Sequence, residues 1–275
     1  QAGKIRLIGD VETRYREDPV RMLRALRFVG KLNLKLDEDT EHYLPKLAKL
    51  LVNIPAARLF DECLKLYLAG NAVSTHKLLV QYGIFDLLFP KTGIILKTEP
   101  EGLAVKLLNR ALENTDKRIE ESKPVTPAFL FAAILWGPVA KEWQQNQDHN
   151  IPAIPALQQA AINVISRQVQ RVAIPKRFTL VTKDIWIMQI RLNIRQGKRG
   201  YRLLTHPKFR AAYDFLLLRV ESGEPYEELA EWWTTFQFAT EDEQQKMVTE
   251  LAPDKQKKRR RRKKPSVKKV AEIKT

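Results

Sequence analysis

Residues 15–31 read YREDPVRMLRALRFVGK. An aspartate and a proline followed by apolar residues at helical spacing make a helix start. Asp18 suits the N-cap, and Pro19 suits the first helical position, where its missing N–H costs nothing. On a wheel of about 100° per residue, Met22, Leu23, Ala25, Leu26 and Val29 fall on one side. Arg24, Arg27 and Lys31 fall opposite, and Arg21 lies on the border. The stretch therefore predicts a helix with one buried and one cationic face, and periodicity of this kind continues down the chain, which reads as mostly α.

Before it, GKIRLIGD (3–10) has the β-branched character of a short strand, closed by Gly9-Asp10. After it, helices are expected over about 38–53, 56–69 (AARLFDECLKLYLA), 72–82 (AVSTHKLLVQY), 99–114 and 126–143. GIFDLLFP (83–90) reads as a turn with an apolar plug, and ESKPVTP (121–127) as a polar break. NQDHNIPAIPA (146–156) is the best linker candidate inside the folded part, because two prolines interrupt any helix there. A second helical region covers about 157–250, and no fixed-period repeat is found.

The chain has 275 residues, enough for one large domain or two modest ones, and 44% of them are apolar. Its net charge of +16 is unusual and partly local. Residues 253–275 hold twelve Lys/Arg against two acids, supplying +10 of it. A basic tail without apolar content is expected to be disordered and to seek a polyanion, either nucleic acid or an anionic membrane surface. Cys63 is the single cysteine, so no internal disulfide framework is possible, which suits a reducing cytoplasm. No run reaches the roughly 18 apolar residues of a membrane helix, and no signal peptide is read. A first residue Gln1 rather than Met is expected of a fragment or processed product.

A nucleotide offers a polyanionic triphosphate and a base edge. Arginine forks suit phosphate oxygens, and a row of them on one helix face can follow a phosphate chain. Asp18 can accept from an exocyclic amine while Arg21 donates to the neighbouring ring nitrogen or carbonyl. Adenine and cytosine both present that pattern, whereas guanine and uracil reverse it. Such a bidentate contact discriminates by roughly 1–3 kcal/mol. On spacing alone the plainer reading also stands, in which Asp18 only caps the helix and the arginines are solvated.

RLIGDVETRYREDPVRMLRALRF (6–28) resembles the joint between head and neck in the bacterial class II nucleotidyltransferases, the family of the tRNA CCA-adding enzymes and poly(A) polymerases. EDPVRMLRALRF (17–28) is similar to its base-selecting motif, and residues 55–90 to the helical segment that follows. TPAFLFAAILW, AIPKRFT, RQGKRGYRLLTHPKFRAAYDFLLLR, EWW and the basic tail resemble the poly(A) polymerase branch. The resemblance implies a helical neck, body and leg with a β remnant. The end of the head falls at 1–13, the neck at 14–55, the body at 56–145, an RNA-binding leg at 146–250 and a disordered basic tail at 251–275.

It further implies that Asp18 and Arg21 read the incoming base, and that Arg24 and Arg27 hold phosphates or brace the pocket. Glu17 would orient arginines. The parent reaction would be untemplated transfer of AMP from ATP to RNA 3′ ends. The Mg²⁺ of that reaction would be bound by aspartates of a head that does not appear in these residues, and a two-metal mechanism needs such carboxylates. Expected partners are RNA 3′ ends and RNA-decay proteins, with the protein a cytoplasmic monomer. Two alternatives are a CCA-adding enzyme, which would share Asp18 and Arg21, and a non-catalytic helical RNA-binding protein.

Lys176, Arg177, Lys198, Arg199 and Arg202 lie near expected turns and could grip RNA phosphates, with a solvated surface as the equal alternative. Arg259, Arg260, Arg261 and Arg262 in KKRRRRKK are the strongest phosphate seekers by charge density. Trp232, Trp233, Phe236 and Phe238 could stack bases, but core packing fits their pattern better. Asp37 and Asp39 form the DxD-like string, at a helix start where acids favour the dipole rather than a metal. His42, His76, His149 and His206 show no metal spacing, and Cys63 reads as a small core residue. RNA affinity falls with salt at a log–log slope near −0.7 per phosphate contact on a single strand. If about six tail residues engage RNA, deleting 253–275 should flatten the measured slope by about 4; an unchanged slope would show that the tail does not touch RNA.

Overall fold

The computed structural model describes residues 3–251; the tail and its Arg259–Arg262 run lie outside the described residues. The opening strand is only two residues long. β1 (Lys4–Ile5) pairs in parallel with β2 (Lys35–Leu36), and between them run α1 (Val11–Glu17) and α2 (Val20–Leu32). No strand follows β2 among the described residues, so the mostly α reading holds. In α2, Met22, Leu23, Ala25 and Leu26 are buried while Arg24 is exposed, as the wheel predicts.

Next come α3 (Glu38–Leu47), a 3-10 turn at Ala48–Asn53, α4 (Ala56–Tyr67), α5 (Ala72–Gln81), α6 (Ile84–Leu88), α7 (Pro90–Thr98) and α8 (Leu103–Glu120). The helix expected over 38–53 thus tightens after Pro45 into its 3-10 end. From α8, Asp116 accepts the backbone N–H groups of Ala72 (2.6 Å) and Val73 (3.0 Å), capping α5 from outside its own chain segment. α2 passes the start of α5 very closely. A Cβ on Gly30 would meet Thr75 Oγ1 at 2.8 Å, and Ser74 Oγ donates to the Gly30 carbonyl at 3.2 Å.

The single helix expected over 126–143 is two, α9 (Pro127–Ile134) and α10 (Trp136–Asp148). Pro138 has no N–H to give the Ile134 carbonyl, and the Thr92 hydroxyl donates to that carbonyl instead, at 2.9 Å. The linker expected at 146–156 is a tight turn into α11 (Ala153–Arg171). Pro152 and Pro155 sit at the helix start, where proline is tolerated. Trp143 Nε1 and Asn146 Nδ2 of α10 donate across the turn to the carbonyls of Ala153 (3.1 Å) and Ala156 (3.0 Å). The segment is a helical hairpin, not a hinge.

α12 (Lys176–Arg191), α13 (Lys198–Leu204), α14 (Phe209–Glu221), α15 (Glu227–Phe238) and α16 (Glu241–Glu250) complete the described chain. One core runs from Val11 to Leu218, across the sequence divisions at 55 and 145. α12 faces it with Ile185 and Trp186, whose Nε1 donates to the Ala132 carbonyl (3.1 Å). With Met188 and Leu192, α12 faces a second core built on Phe209, Leu216, Trp233 and Phe236.

Arg219 joins these cores. It is fully buried and doubly bonded to Glu224, Nε to Oε1 at 3.0 Å and Nη2 to Oε2 at 2.6 Å. Its guanidinium lies 5.0 Å from the Trp136 ring and 4.3 Å from the Tyr226 ring. Removing Arg219 alone strands a carboxylate. Arg219→Met should therefore cost about 3–5 kcal/mol in denaturant unfolding, and Arg219→Met/Glu224→Leu should recover much of it.

His76 is buried, with Nδ1 3.2 Å from Tyr67 Oη and its ring edge-on to Phe85. Burial lowers its pKa from 6.5 to about 4. The unfolded chain then takes up a proton that the fold refuses. This contribution is fully present above pH 6.5 and lost as pH falls toward 4, by about 3 kcal/mol in all. Urea melts across that window should show the loss, and His76→Gln should flatten it.

Candidate nucleotide site and basic surfaces

Asp18 is the joint between α1 and α2. Its N–H closes α1 on the Arg14 carbonyl (3.2 Å), and its own carbonyl accepts from Arg21 N (3.0 Å). Oδ1 accepts from the Val20 N–H at 3.3 Å. The helix proper thus begins at Val20, one residue later than the sequence predicts, with Pro19 as its cap residue. Oδ2 accepts from Arg58 Nη2 at 2.8 Å, across forty residues of sequence. Each carboxylate oxygen has two lone pairs, so both keep an acceptor position.

Arg58 was not legible as a site residue, nor was Glu62. Both stand on α4, four apart and on one face, and α4 lies along α2 in the same sense. Arg58 meets Asp18, and one turn on Glu62 meets Arg24 Nη2 at 3.5 Å. Glu62 is buried and also accepts from Lys65 Nζ at 2.9 Å. The opposite-charge pair Arg58/Glu62 inside an apolar helix was the signal available.

The arginines of this region therefore differ. Arg24 braces a buried carboxylate. Arg27 lies over the Phe28 ring at 5.0 Å and has no acidic partner among the described residues. Arg21 has no hydrogen-bond or ion-pair partner through its side chain among the described residues, and its Nε is buried and unsatisfied. Arg14 Nε is unsatisfied too, while Arg14 Nη1 holds Glu17 Oε2 at 3.1 Å. Asp18 is thus fixed in place one helical turn before an arginine whose Nε is buried without a partner among the described residues.

Lys176 and Arg177 are exposed at the start of α12, and Lys198, Arg199 and Arg202 on α13; none is ion-paired among the described residues. α12, about 24 Å long at 1.5 Å per residue, lies between the two groups in the chain. Trp232 offers no free face, because Phe236 stacks on it at 4.4 Å and the Arg195 guanidinium sits 5.3 Å from the ring. Trp233 is buried, and its Nε1 donates to the Leu192 carbonyl at 3.0 Å. These aromatics are core; Phe238, 80% exposed, is the exception.

Asp37 caps α3 without a side-chain bond, 4.0 Å from Arg6 Nε, and Asp39 is exposed. Among the described residues no three His, Cys, Asp or Glu side chains converge as metal ligands would. Cys63 is fully buried, and burial pushes its thiol well above the ordinary range. An open cleft of about 1130 Å³ lies away from α2's start, but Glu113, Asp116, Glu120 and Glu121 line it, an ill match for a polyanion. No helix of the described residues is long and apolar enough to cross a membrane.

Residues 33–94 match the family described as "Probable RNA and SrmB-binding site of polymerase A", and residues 149–266 the family described as "Polymerase A arginine-rich C-terminus". The chain is 45% identical to poly(A) polymerase I of Salmonella typhi over 257 residues, 92% of this chain and 55% of that protein. A CCA-adding enzyme of Geobacillus sp. (strain WCH70) is 41% identical over only 78 residues, 28% of this chain. A solved tRNA-processing enzyme with CTP shares the fold, at TM-score 0.55 and 19% identity, over 90% of this chain and 63% of that one. The chain spans a little over half the length of the Salmonella typhi relative. Matched over nine-tenths of its own length, and carrying the segments of both family descriptions, the chain is similar to bacterial poly(A) polymerase I over a little over half of that protein.

Proposed function

We propose that this chain is the nucleotide-selecting and RNA-holding portion of a polymerase that adds AMP from ATP to RNA 3′ ends without a template. The observation that carries this reading is Arg21, whose buried Nε lacks a partner among the described residues, one helical turn past a carboxylate that is itself held. A guanidinium in that state is completed by an acceptor such as a base ring nitrogen, while Asp18 keeps a lone pair for the exocyclic amine. Arg58 fixes Asp18, and Glu62 fixes Arg24, so the pocket floor is preorganised and Arg27 is left for phosphate. In this reading the carboxylates that hold Mg²⁺ lie in the part of the relatives that this chain does not span.

The neck, body and leg divisions are functional ones in this reading, since one core crosses them. RNA-decay partners, a monomeric state and a cytoplasmic location go with it. A CCA-adding enzyme would also use Asp18 and Arg21. The match to such enzymes covers 28% of the chain against 92% for a poly(A) polymerase, which favours ATP.

The test restores the preceding region of the relatives and supplies an RNA primer, Mg²⁺ and either ATP or CTP. Long A-only extension is expected. Arg21→Ala should lower kcat/KM for ATP by about 10- to 100-fold, the range of a lost bidentate base contact. Arg58→Ala should show a smaller loss of the same kind. Two- or three-nucleotide products that require CTP, or an Arg21→Ala enzyme of full activity, would overturn the reading.

A further inference from the structure

We propose that Lys65 is a positioning residue for the nucleotide's phosphates. It keeps the buried Glu62 carboxylate paired, so that Arg24 is free to pass from Glu62 to a phosphate oxygen. This rests on the nucleotide-selecting reading above and deepens it.

The charges along the seam between α2 and α4 carry the argument. Asp18 and Arg24 come from α2, and Arg58, Glu62 and Lys65 from α4. Arg58 and Asp18 pair one to one at 2.8 Å. Glu62 is shared. Lys65 Nζ reaches Glu62 Oε1 at 2.9 Å from three residues along the same helix. Arg24 Nη2 reaches the same oxygen at 3.5 Å from across the seam. Three cations thus meet two carboxylates, and the surplus one has the longest contact, Arg24.

Burial makes the sharing matter. The Glu62 side chain is 3% exposed, and a buried carboxylate stripped of its partner is strongly destabilising. With Arg24 as its sole cation, Glu62 would hold that arginine against a competing anion. Lys65 lifts the constraint, because Glu62 stays paired whether Arg24 is on it or not. Arg24 is also equipped to leave. Its side chain is 45% exposed, and its Nε and Nη1 donate to no protein group among the described residues. Its one contact is longer than an ordinary N–H···O bond.

Arg24 lies six residues past Asp18, about 9 Å along the axis of α2, on the cationic face with Arg27. With the base at Asp18 and Arg21, a phosphate chain that runs along α2 meets Arg24 and then Arg27. A guanidinium gives a phosphate two parallel donors, which a single carboxylate oxygen shared with Lys65 does not engage. The exchange moves no proton. One ion contact opens and another closes, and Lys65 holds the acid that is left.

The test uses the longer protein with the preceding region of the relatives restored, and measures kcat and KM for ATP at saturating RNA primer. Lys65→Met should raise KM about tenfold with kcat within about twofold, because Arg24 must then stay on Glu62. Lys65→Arg, which keeps a cation beside Glu62, should rescue the loss. Lys65→Met/Glu62→Gln decides. The amide still accepts from Arg24 but no longer holds it by charge, so KM should return to within about threefold of the wild type. A double variant as weak as Lys65→Met makes Lys65 a direct phosphate contact or a prop, and overturns the exchange. An unchanged KM in Lys65→Met overturns it too. Thermal melts check that the variants fold. Should Lys65→Met not fold, Glu62→Gln alone gives the answer: KM at or below the wild-type value supports the exchange, and a raised KM overturns it. A wild-type protein that does not use ATP strikes the nucleotide-selecting reading itself.

Discussion

One guanidinium fixes how the second half of this chain meets the first. Arg171, at the end of α11, donates to the carbonyls of Leu51 (2.8 Å) and Val52 (3.1 Å), at the end of the 3-10 turn, and to Leu87 in α6. Gln168, one turn earlier, donates to Leu88 at 2.8 Å. Carbonyls at helix ends lack intrahelical donors and carry partial negative charge, so a cation there answers both needs. Burial lowers the Arg171 pKa from its ordinary value, but an arginine has range enough to stay charged. Because α11 is held there, its next residues run beside α4, and the Ala173–Ala56 bond follows. The position of α12 against α4 thus descends from main-chain carbonyls that no side-chain pattern displays.

The arginine row of α2 shows how a sequence pattern divides once packing is added. Spacing places Arg21, Arg24 and Arg27 on or beside one face, and they are there. What spacing cannot assign is which of them meets an acid from another helix. Glu62 comes from α4, and its burial decides that Arg24 is a brace. Arg21 borders the buried face, which is why its Nε is shielded from water while the rest of its fork stays open. Identical residues three apart thereby acquire different chemistry from one turn of a neighbouring helix.

Much of the fold was legible because it rests on periodicity. The apolar side of α2, the helices over 56–67 and 72–81 and the burial of Cys63 all follow from spacing alone. Two of the errors share one origin, proline. Pro138 divides what reads as a continuous helix, because the carbonyl it leaves open is taken by Thr92 from α7. Pro152 and Pro155 read as a break and instead start α11, since the first turn of a helix does not use those N–H groups. A proline's effect depends on which carbonyl it fails to bond and who else can reach it, and that is tertiary information. Arg58 was hidden for a related reason: its partner lies forty residues away, and only the parallel lie of α4 and α2 brings them together.

Gly30 has a mechanical meaning. With Thr75 where a Cβ would stand, and the Ser74 hydroxyl on its carbonyl, α2 is pinned near its far end as well as at Asp18. A helix that slips by one residue moves 1.5 Å and turns 100°, which would carry Arg24 toward the core and Leu23 into water. Pinned at both ends, α2 can do neither. In the function proposed above, the pocket it forms cannot relax around a base of the wrong shape, and rejection there takes the form of stiffness rather than repulsion.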